Sequence, residues 1–454
     1  MKDEREILNT VNTNSIPSEL KITDIRFADI WHAPMQCILV KVYTNQGLVG
    51  YGEVRDFADK RYAAMLKSRL IGENPCNVDR IFRKIKQFGG QSRQGGGVSG
   101  IEVALWDLAG KAYGVPVYQL LGGKFRDEIR LYCDTDVDGK PDGKKMGEAL
   151  KKRREKGFTM LKMDLGIDLL YDIPGALSGP LGFIEELAAA GEKHEHMVGD
   201  METRLKAHAA KEITCVEHCR TGIQITPKGM EFLENYVKEA REIAGYDIPL
   251  AVDHIGHVGL TECIKLGRML EKYNIAWMED ALPWQYTDQY AILRRSVNVP
   301  VATGEDIYLK ENFKPLLESG GVSLIHPDVL TSGGILENKK IGDLAQEYGV
   351  GMVVHMAETP VACMAAVHSV AATENVMALE FHSNDIPWWE DLVECSFKPI
   401  VDHGFIKVPD APGLGIEALN DDVIKEHMEE DKIPGLWEST DEWNNTFAHD
   451  RLWS

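Results

Sequence analysis

Five ionisable side chains recur at nearly equal intervals between residues 250 and 355. They are Asp253, Glu279, Glu305, Asp328 and His355, and each lies at or just after the end of a short apolar run. The successive intervals are 26, 26, 23 and 27 residues, lengths that accommodate one strand, one helix and two loops. The spacing predicts consecutive βα units that each place one reactive group at the carboxyl end of a strand, where parallel barrels carry their catalytic residues.

Three of these groups are carboxylates, which repel one another on a common face unless a cation lies between them. Oxygen ligands from Asp253, Glu279 and Glu305 suit a hard divalent ion. Mg²⁺ is therefore the first expectation and Mn²⁺ the second. The alternative is that each acid caps the helix that follows it or pairs with an arginine, but the common register of the three acids favours a metal site.

Asp328 and His355 have the residue types of an oriented base, although a structural core histidine is the alternative. A carboxylate bonded to one imidazole nitrogen fixes the tautomer and leaves the other nitrogen to exchange a proton near neutral pH. Lys162 and Asp164 end an earlier apolar run on one face, because alternate residues of a strand point the same way. Lys162 could neutralise a substrate carboxylate or act as a base, and an ion pair across the barrel mouth is the alternative.

Together these groups suit one reaction class. A divalent cation, a lysine beside it and a base favour removal of the proton α to a carboxylate, because the cation stabilises the resulting ene-diolate. When the β-carbon carries a hydroxyl group, that intermediate can eliminate water. The predicted chemistry is therefore proton abstraction from a hydroxy acid.

Eight apolar runs supply the strands that such a site needs. The predicted strands are 129–133, 159–164, 250–253, 276–279, 301–304, 324–326, 351–355 and 377–381. Helical periodicity lies between them at 144–156, 260–273, 336–348 and 361–373. Eight alternations in succession favour a closed barrel over an open sheet. The 89 residues from Asp164 to Asp253 exceed the usual connection length and predict an insertion at about 168–245.

The segment before the barrel predicts a small antiparallel sheet, with a hairpin turn at Asn45-Gln46-Gly47. Helical patterns follow over 57–86, and then a flexible glycine-rich segment at 89–97. The loop after the first strand carries Trp31 and His32, which we predict to contact the substrate, with a core or lid aromatic as the alternative for Trp31. The predicted organisation is a leader at 1–20, an α+β capping domain at 21–127 plus 395–454, and a barrel domain at 128–394.

Composition limits the partners of the chain. Lys and Arg number 50 against 71 Asp and Glu, and the net charge of −21 argues against nucleic acid, since phosphate binding requires a basic face. No apolar run reaches the roughly 18 residues of a membrane span, and the polar N-terminus lacks the apolar stretch of a signal peptide. The 8 cysteines, spread over 454 residues, indicate reduced thiols and a cytoplasmic protein.

The chain resembles the mandelate racemase subgroup of the enolase superfamily in four features. They are SGIEVALWDLAGKAYGVPVYQLLGGKFRD at 99–127, the three-acid series, Thr303-Gly304-Glu305-Asp306, and Asp328 with His355. The resemblance implies an α/β fold, a modified (β/α)8 TIM-like barrel under an α+β capping domain formed by the N-terminal region and the C-terminal tail. It also implies a Mg²⁺ cofactor and a homo-oligomer. Glu380, at the end of the eighth strand, would then be the electrophile or hydrogen-bond donor to the substrate carboxylate, with a rim ion pair as the alternative.

Two departures from that family shape the functional prediction. Members that racemise with two bases usually carry Lys-x-Lys on the second strand, whereas this chain has Lys162-Met-Asp164. Related sugar-acid dehydratases carry a histidine two residues after the first metal ligand, where this chain has Ile255. We therefore expect His254 to point outward, and the loop residue His257 becomes a candidate for substrate binding as a general acid.

The sequence thus predicts a Mg²⁺-dependent sugar-acid dehydratase that converts an aldonate or aldarate into a 2-keto-3-deoxy acid. His355 would act as the base or as the acid for the departing hydroxyl, while Lys162 and Glu380 would contact the substrate carboxylate. A racemase, epimerase or cycloisomerase using the same intermediate is the alternative. A weaker alternative is a non-enzymatic zinc-binding interaction module around Cys215-Val-Glu-His-Cys219, although this motif has no second pair of ligands.

Overall fold

The computed structural model describes residues 15–137, 142–179, 223–255, 258–428 and 435–441. An antiparallel sheet comes first, with strands β1 (Ile22–Ile30), β2 (Cys37–Thr44) and β3 (Val49–Val54) in that order. The predicted hairpin between β2 and β3 is confirmed by the pairing of Tyr43 with Val49. Gly47 in its turn has a φ of +83°, a left-handed conformation that glycine adopts without a steric cost.

Two glycines of β3 allow an unusually close contact with the helix Gly96–Tyr113. A Cβ atom on Gly50 would lie 2.3 Å from the carbonyl oxygen of Ala104, and one on Gly52 would lie 2.1 Å from that of Gly100. Any side chain at either position would therefore overlap the helix backbone. This contact fixes the position of β3. The charged residues Arg55 and Asp56 follow its last residue, Val54.

Eight parallel strands form a closed barrel, so the predicted fold class is confirmed. In barrel order they are β4 (Glu128–Cys133), β5 (Leu161–Asp164), β8 (Leu250–Asp253), β9 (Met278–Glu279), β10 (Val301–Thr303), β11 (Leu324–Ile325), β12 (Gly351–Val354) and β13 (Val376–Phe381). The last strand, β13, also pairs with β4. Each bound lies within about two residues of the predicted one, the usual uncertainty at element ends.

Helices follow the barrel strands at the predicted places. In the described ranges as a whole, the α-helices besides Gly96–Tyr113 are Arg61–Ala64, Lys67–Leu70, Val78–Ile85, Val117–Leu120, Gly143–Glu155, Pro227–Ala244, Leu260–Leu270, Thr287–Ser296, Lys310–Glu318, Val329–Ser332, Ile335–Glu347, Pro360–Ala371 and Asp421–Glu426. Several begin at a capping side chain, such as Thr359, whose hydroxyl accepts from the N–H of Val361 at 3.1 Å.

The chain packs into two compact units. The first comprises Met1–Leu131, Glu305–Lys314 and His326–Ser454, and the second comprises Tyr132–Gly304 and Pro315–Ile325, where the description covers them. The first unit contains the antiparallel sheet, β12, β13 and the C-terminal tail. In the tail, Trp437 donates its N–H to the carbonyl of Phe27 at 3.1 Å, and Asp421 pairs with Lys41 at 3.0 Å.

Short strands complete the fold. The tail contributes β14 (Val393–Glu394) and β16 (Ala418–Leu419), which pair with each other, and β15 (Phe405–Lys407), which pairs antiparallel with β4. Within the predicted insertion (about 168–245), β6 (Leu177–Ser178) and β7 (Gln224–Ile225) pair antiparallel, and the helix Pro227–Ala244 follows them. The central part of the insertion, including Cys215 and Cys219, lies outside the described residues.

The glycine-rich segment predicted to be flexible is held by hydrogen bonds. Ser92 donates its N–H to the carbonyl of Asp306 at 2.8 Å, and Gln91 accepts from the N–H of Tyr308 at 2.6 Å. Within the described ranges, no helix is both long and apolar enough to cross a membrane. Cysteines 37, 76, 133, 263, 363 and 395 are present there as thiols.

Candidate active site

Lys162 joins two of the predicted metal ligands inside the second unit. Its Nζ donates to Asp253 Oδ2 and to Glu279 Oε1, at 2.7 Å in both cases. The other oxygen of Glu279 accepts from Trp277 Nε1 at 2.7 Å. Burial by itself would raise the pKa of Asp253, but the charges of Lys162 and His254 outweigh that effect and lower this pKa. Two buried carboxylates therefore converge on one cationic atom.

Asp164, on the same strand as Lys162, contacts His254. The Nδ1 atom of His254 lies 2.9 Å from Asp164 Oδ1 and 3.8 Å from Asp253 Oδ2. These two carboxylates, Asp253 first, raise the pKa of His254 well above its usual value. The His254 side chain is 69% exposed, as expected for an outward position, but its contact with Asp164 was not predicted.

Asp328 and His355 form a close pair in the first unit. The Nδ1 atom of His355 lies 2.7 Å from Asp328 Oδ2. The second oxygen of Asp328 caps the helix Val329–Ser332, accepting from the N–H groups of Leu330 and Thr331 at 2.6 and 2.9 Å. Because helix capping fixes this carboxylate, it holds the imidazole in one orientation.

The other nitrogen of His355 faces two further carboxylates. Its Nε2 lies 3.2 Å from Glu305 Oε2 and 4.0 Å from Glu380 Oε2. Glu380 is buried between two more histidines, with His326 Nε2 at 3.2 Å from Oε2 and His382 Nε2 at 3.2 Å from Oε1. The first unit thus brings together four predicted site residues, Glu305, Asp328, His355 and Glu380, and adds two imidazoles to them. Such a cluster can hold and transfer protons.

Arg55, the residue after β3, is fully buried among carboxylates of the first unit. Its Nη1 lies 2.5 Å from Asp56 Oδ1, 2.5 Å from Glu358 Oε1 and 3.2 Å from Asp328 Oδ2. Its Nη2 lies 3.7 Å from Glu305 Oε1. Burial, and then the neighbouring Asp328, raise the pKa of Glu358 well above its usual value. One guanidinium therefore neutralises part of the negative charge of four neighbouring acids.

Trp31 and His32 lie in an aromatic loop. The Trp31 ring stands edge-on to His32 and to Phe57, with ring centroids 5.4 and 6.3 Å apart. The N–H of Trp31 donates to the carbonyl of His427 at 3.0 Å, which ties this loop to the C-terminal tail. Contact of Trp31 and His32 with substrate stays a prediction. His257 lies outside the described residues.

Five residues of the first-unit cluster have no role in the predictions from sequence. They are Arg55, Asp56, His326, Glu358 and His382. Two of them could have been predicted from the sequence. His326 lies two residues before Asp328 and His382 lies two residues after Glu380, and alternate residues of a strand share one face.

The barrel and its reactive strand ends define the class of protein. The profile for the "Mandelate racemase / muconate lactonizing enzyme, N-terminal domain" matches residues 20–122, and the profile "Enolase C-terminal domain-like" matches residues 145–423. The chain therefore belongs to the mandelate racemase and muconate lactonizing enzyme group of the enolase superfamily, as its motifs indicated.

Particular relatives cover nearly the whole chain. The chain is 31% identical to D-xylonate dehydratase of Haloferax volcanii over 433 residues, which cover 94% of this chain and 93% of that protein. It is 27% identical to D-galactonate dehydratase of Ralstonia pickettii over 400 residues, or 85% and 90% of the two chains. A mandelate racemase/muconate lactonizing enzyme-like protein from Rubrobacter xylanophilus matches with a TM-score of 0.74 and 30% identity, over 90% of this chain and 98% of that one.

Proposed function

We propose that the protein is a sugar-acid dehydratase, a hydro-lyase that converts an aldonate or aldarate into a 2-keto-3-deoxy acid. The observation that carries this proposal is the placement of His355, whose Nδ1 lies 2.7 Å from buried Asp328 and whose Nε2 lies 3.2 Å from Glu305. The two relatives that are named as dehydratases of D-xylonate and D-galactonate support the same reaction class.

The proposal includes Mg²⁺, with Mn²⁺ as the second choice. Asp253, Glu279 and Glu305 would hold it, since they end or follow the neighbouring strands β8, β9 and β10. Asp253 and Glu279 fit such an ion, because one oxygen of each already lies 2.7 Å from the same cationic atom, the Nζ of Lys162. When bound, the cation supplies electrostatic stabilisation of the negative charge that develops on the substrate carboxylate.

His355 is the proposed base. Its Nε2 would remove the proton α to the substrate carboxylate, while Asp328 stabilises the charged imidazole. The electron pair of the broken C–H bond forms a C=C bond as the C–O bond at the β-carbon breaks. The hydroxyl leaves as water after it receives a proton from His355. The enol then becomes the 2-keto acid, so the reaction balances without an oxidant or a reductant.

The remaining predicted residues would bind and orient the substrate. Lys162, which is 1% exposed, would place positive charge beside the substrate carboxylate, and Glu380 would contact the same group. Asp164, with His254 at 2.9 Å, is a further proposed proton-transfer group. Trp31 and His32 would contact the polyol chain.

A substrate screen tests this proposal. A panel of aldonates and aldarates that includes D-xylonate and D-galactonate would be incubated with Mg²⁺ or with EDTA, and formation of 2-keto acid would be measured. We expect turnover of at least one acid, abolished by EDTA and restored by Mg²⁺. His355→Asn should lower kcat by at least about hundredfold. His403→Asn, which changes an exposed pair with Asp402, is the matched control and should keep wild-type activity. Activity unaffected by both EDTA and His355→Asn would refute the proposal.

Solvent deuterium separates elimination from racemisation. A dehydratase in D₂O produces 2-keto acid in proportion to the acid consumed. A racemase or epimerase would return a deuterium-labelled acid, and a cycloisomerase would form a labelled isomer of its substrate, in each case without loss of water. That second result would replace the dehydratase assignment with the alternative one.

A further inference from the structure

We infer that Arg55 is a positioning residue that fixes the proposed metal ligand Glu305 relative to the Asp328–His355 pair. The inference rests on the proposed function and deepens it. It assigns a part in metal binding and proton transfer to a residue that follows the antiparallel sheet, outside the barrel strands.

The backbone on each side of Arg55 is anchored within the first unit. The carboxylate of Glu53 accepts from the hydroxyl of Thr359 at 2.5 Å and from the N–H groups of Thr359 and Ala362 at 3.2 and 3.0 Å. These donors begin the helix Pro360–Ala371, which follows β12. On the other side, Asp56 pairs with Arg93 at 3.2 Å. Arg55 therefore has little freedom to change position.

Four ionisable side chains form a closed ring. The Nη1 of Arg55 lies 3.2 Å from Asp328 Oδ2, the same oxygen that lies 2.7 Å from His355 Nδ1. The Nε2 of His355 lies 3.2 Å from Glu305 Oε2, and the other oxygen of Glu305 lies 3.7 Å from Arg55 Nη2. In such a ring, displacement of one side chain shifts the others. The orientation of the proposed base and that of the proposed ligand are therefore coupled through Arg55.

Charge and shape both require an arginine here. The side chains of Arg55, Asp328 and Glu358 are at most 2% exposed, so water cannot screen the acids if the guanidinium is removed. A lysine would supply the charge as a single point. It could not hold one nitrogen 3.2 Å from Asp328 and a second nitrogen 3.7 Å from Glu305, as the guanidinium does.

Metal affinity tests the inference with a readout other than turnover. Full-length wild type, Arg55→Met and Arg55→Lys would be titrated with Mn²⁺ and followed by electron paramagnetic resonance, with kcat and KM measured on the same samples. Both variants should bind Mn²⁺ about ten- to hundredfold more weakly and lose a similar factor in kcat. KM should stay within about threefold, since Arg55 is not a proposed substrate contact. A merely structural role would leave the affinity of the folded fraction unchanged.

A matched control removes a different buried cation of the same unit. Lys67, whose side chain is 5% exposed, pairs with Asp24 at 2.6 Å and with Asp441 at 2.8 Å. Lys67→Met should destabilise the fold but keep Mn²⁺ affinity and kcat within about threefold of wild type. An equal loss of Mn²⁺ affinity in Lys67→Met would overturn the inference, because the effect would then be general.

Two further outcomes are decisive. Wild-type Mn²⁺ affinity and kcat in Arg55→Lys would overturn the inference, because charge alone would then suffice, and this variant decides the matter if Arg55→Met does not fold. Glu305→Gln separates the inference from the proposed function. If Glu305→Gln weakens Mn²⁺ binding and Arg55→Lys does not, only the role of Arg55 fails. If Glu305→Gln binds Mn²⁺ like wild type, the proposed metal site fails, and the inference fails with it.

Discussion

Replacing Asp328 by asparagine should remove most of the activity and leave the fold intact. Asparagine keeps the Oδ1 atom that accepts from the N–H groups of Leu330 and Thr331 at 2.6 and 2.9 Å. It replaces Oδ2, which lies 2.7 Å from His355 Nδ1, by an NH₂ group that can only donate. The imidazole must then accept at Nδ1 and carry its proton on Nε2. The nitrogen proposed to remove the substrate proton could no longer accept one.

The size of this effect follows from the lost contact. A hydrogen bond to a charged group contributes about 1.5–3 kcal/mol, which corresponds to a change in rate of about 10- to 160-fold. The reversed tautomer adds to that loss, as it does when the aspartate of a serine-protease triad is changed to asparagine, where kcat falls about 10⁴-fold. We therefore expect kcat of Asp328→Asn to fall by about 10²- to 10⁴-fold.

The assay is the initial rate of 2-keto acid formation at saturating substrate and Mg²⁺, with circular dichroism to confirm folding. Arg55 loses one acid at 3.2 Å but keeps Glu358 at 2.5 Å, so the melting temperature should fall by only a few degrees. Asp402→Asn, in the exposed pair with His403, is the control and should retain full activity. Folded Asp328→Asn with kcat within about threefold of wild type would refute the view that Asp328 sets the tautomer of His355.

Three further predictions concern other parts of the molecule. Lys162→Met removes the cation shared by Asp253 and Glu279, so Mg²⁺ should raise the melting temperature of this variant more than that of wild type. Calorimetry that shows the same Mg²⁺-induced rise in melting temperature for both proteins would contradict this prediction. Burial raises the pKa of Glu53 from 4.5 to about 7, so the folded state binds the extra proton between these values. The free energy of unfolding of wild type should therefore fall relative to that of Glu53→Gln as pH rises from 4.5 to 7. If urea unfolding gives a difference between the two proteins that does not change with pH, this prediction is wrong. Gly52→Ala would bring a Cβ atom to 2.1 Å from the carbonyl oxygen of Gly100. Its free energy of unfolding in urea should therefore fall by about 1–3 kcal/mol, and an unchanged value would contradict the close contact.

The local pattern of apolar residues in the sequence was sufficient to predict the barrel strands. The runs that end at Asp253 and Glu279 are apolar, short and followed by helical periodicity, and each property belongs to a segment of about ten residues. Parallel pairing then aligns their ends without further information, as the pairing of Val252 with Met278 shows. The strands β6 and β7 lie in no such apolar run, and their pairing depends on distant packing.

The contacts of His254 and Arg55 could not be predicted in this way. Strand alternation places His254 opposite Asp253, but its φ of +56° turns the chain just after the strand and brings its ring to Asp164. That turn is determined by tertiary contacts. Arg55 is an ordinary charged residue after a strand in the sequence, and only its four acidic neighbours, two of them more than 270 positions away, reveal its environment.

The bond between Arg55 and Glu358 also has a consequence for the order of events during synthesis. These partners are 303 residues apart in the chain, so the ribosome completes the antiparallel sheet long before Glu358 emerges. Until then the guanidinium must stay hydrated, because burying it without its acids is costly. The first unit therefore cannot close while the chain is growing through the second, and a nascent chain that ends before residue 326 should expose this end of β3 to proteases.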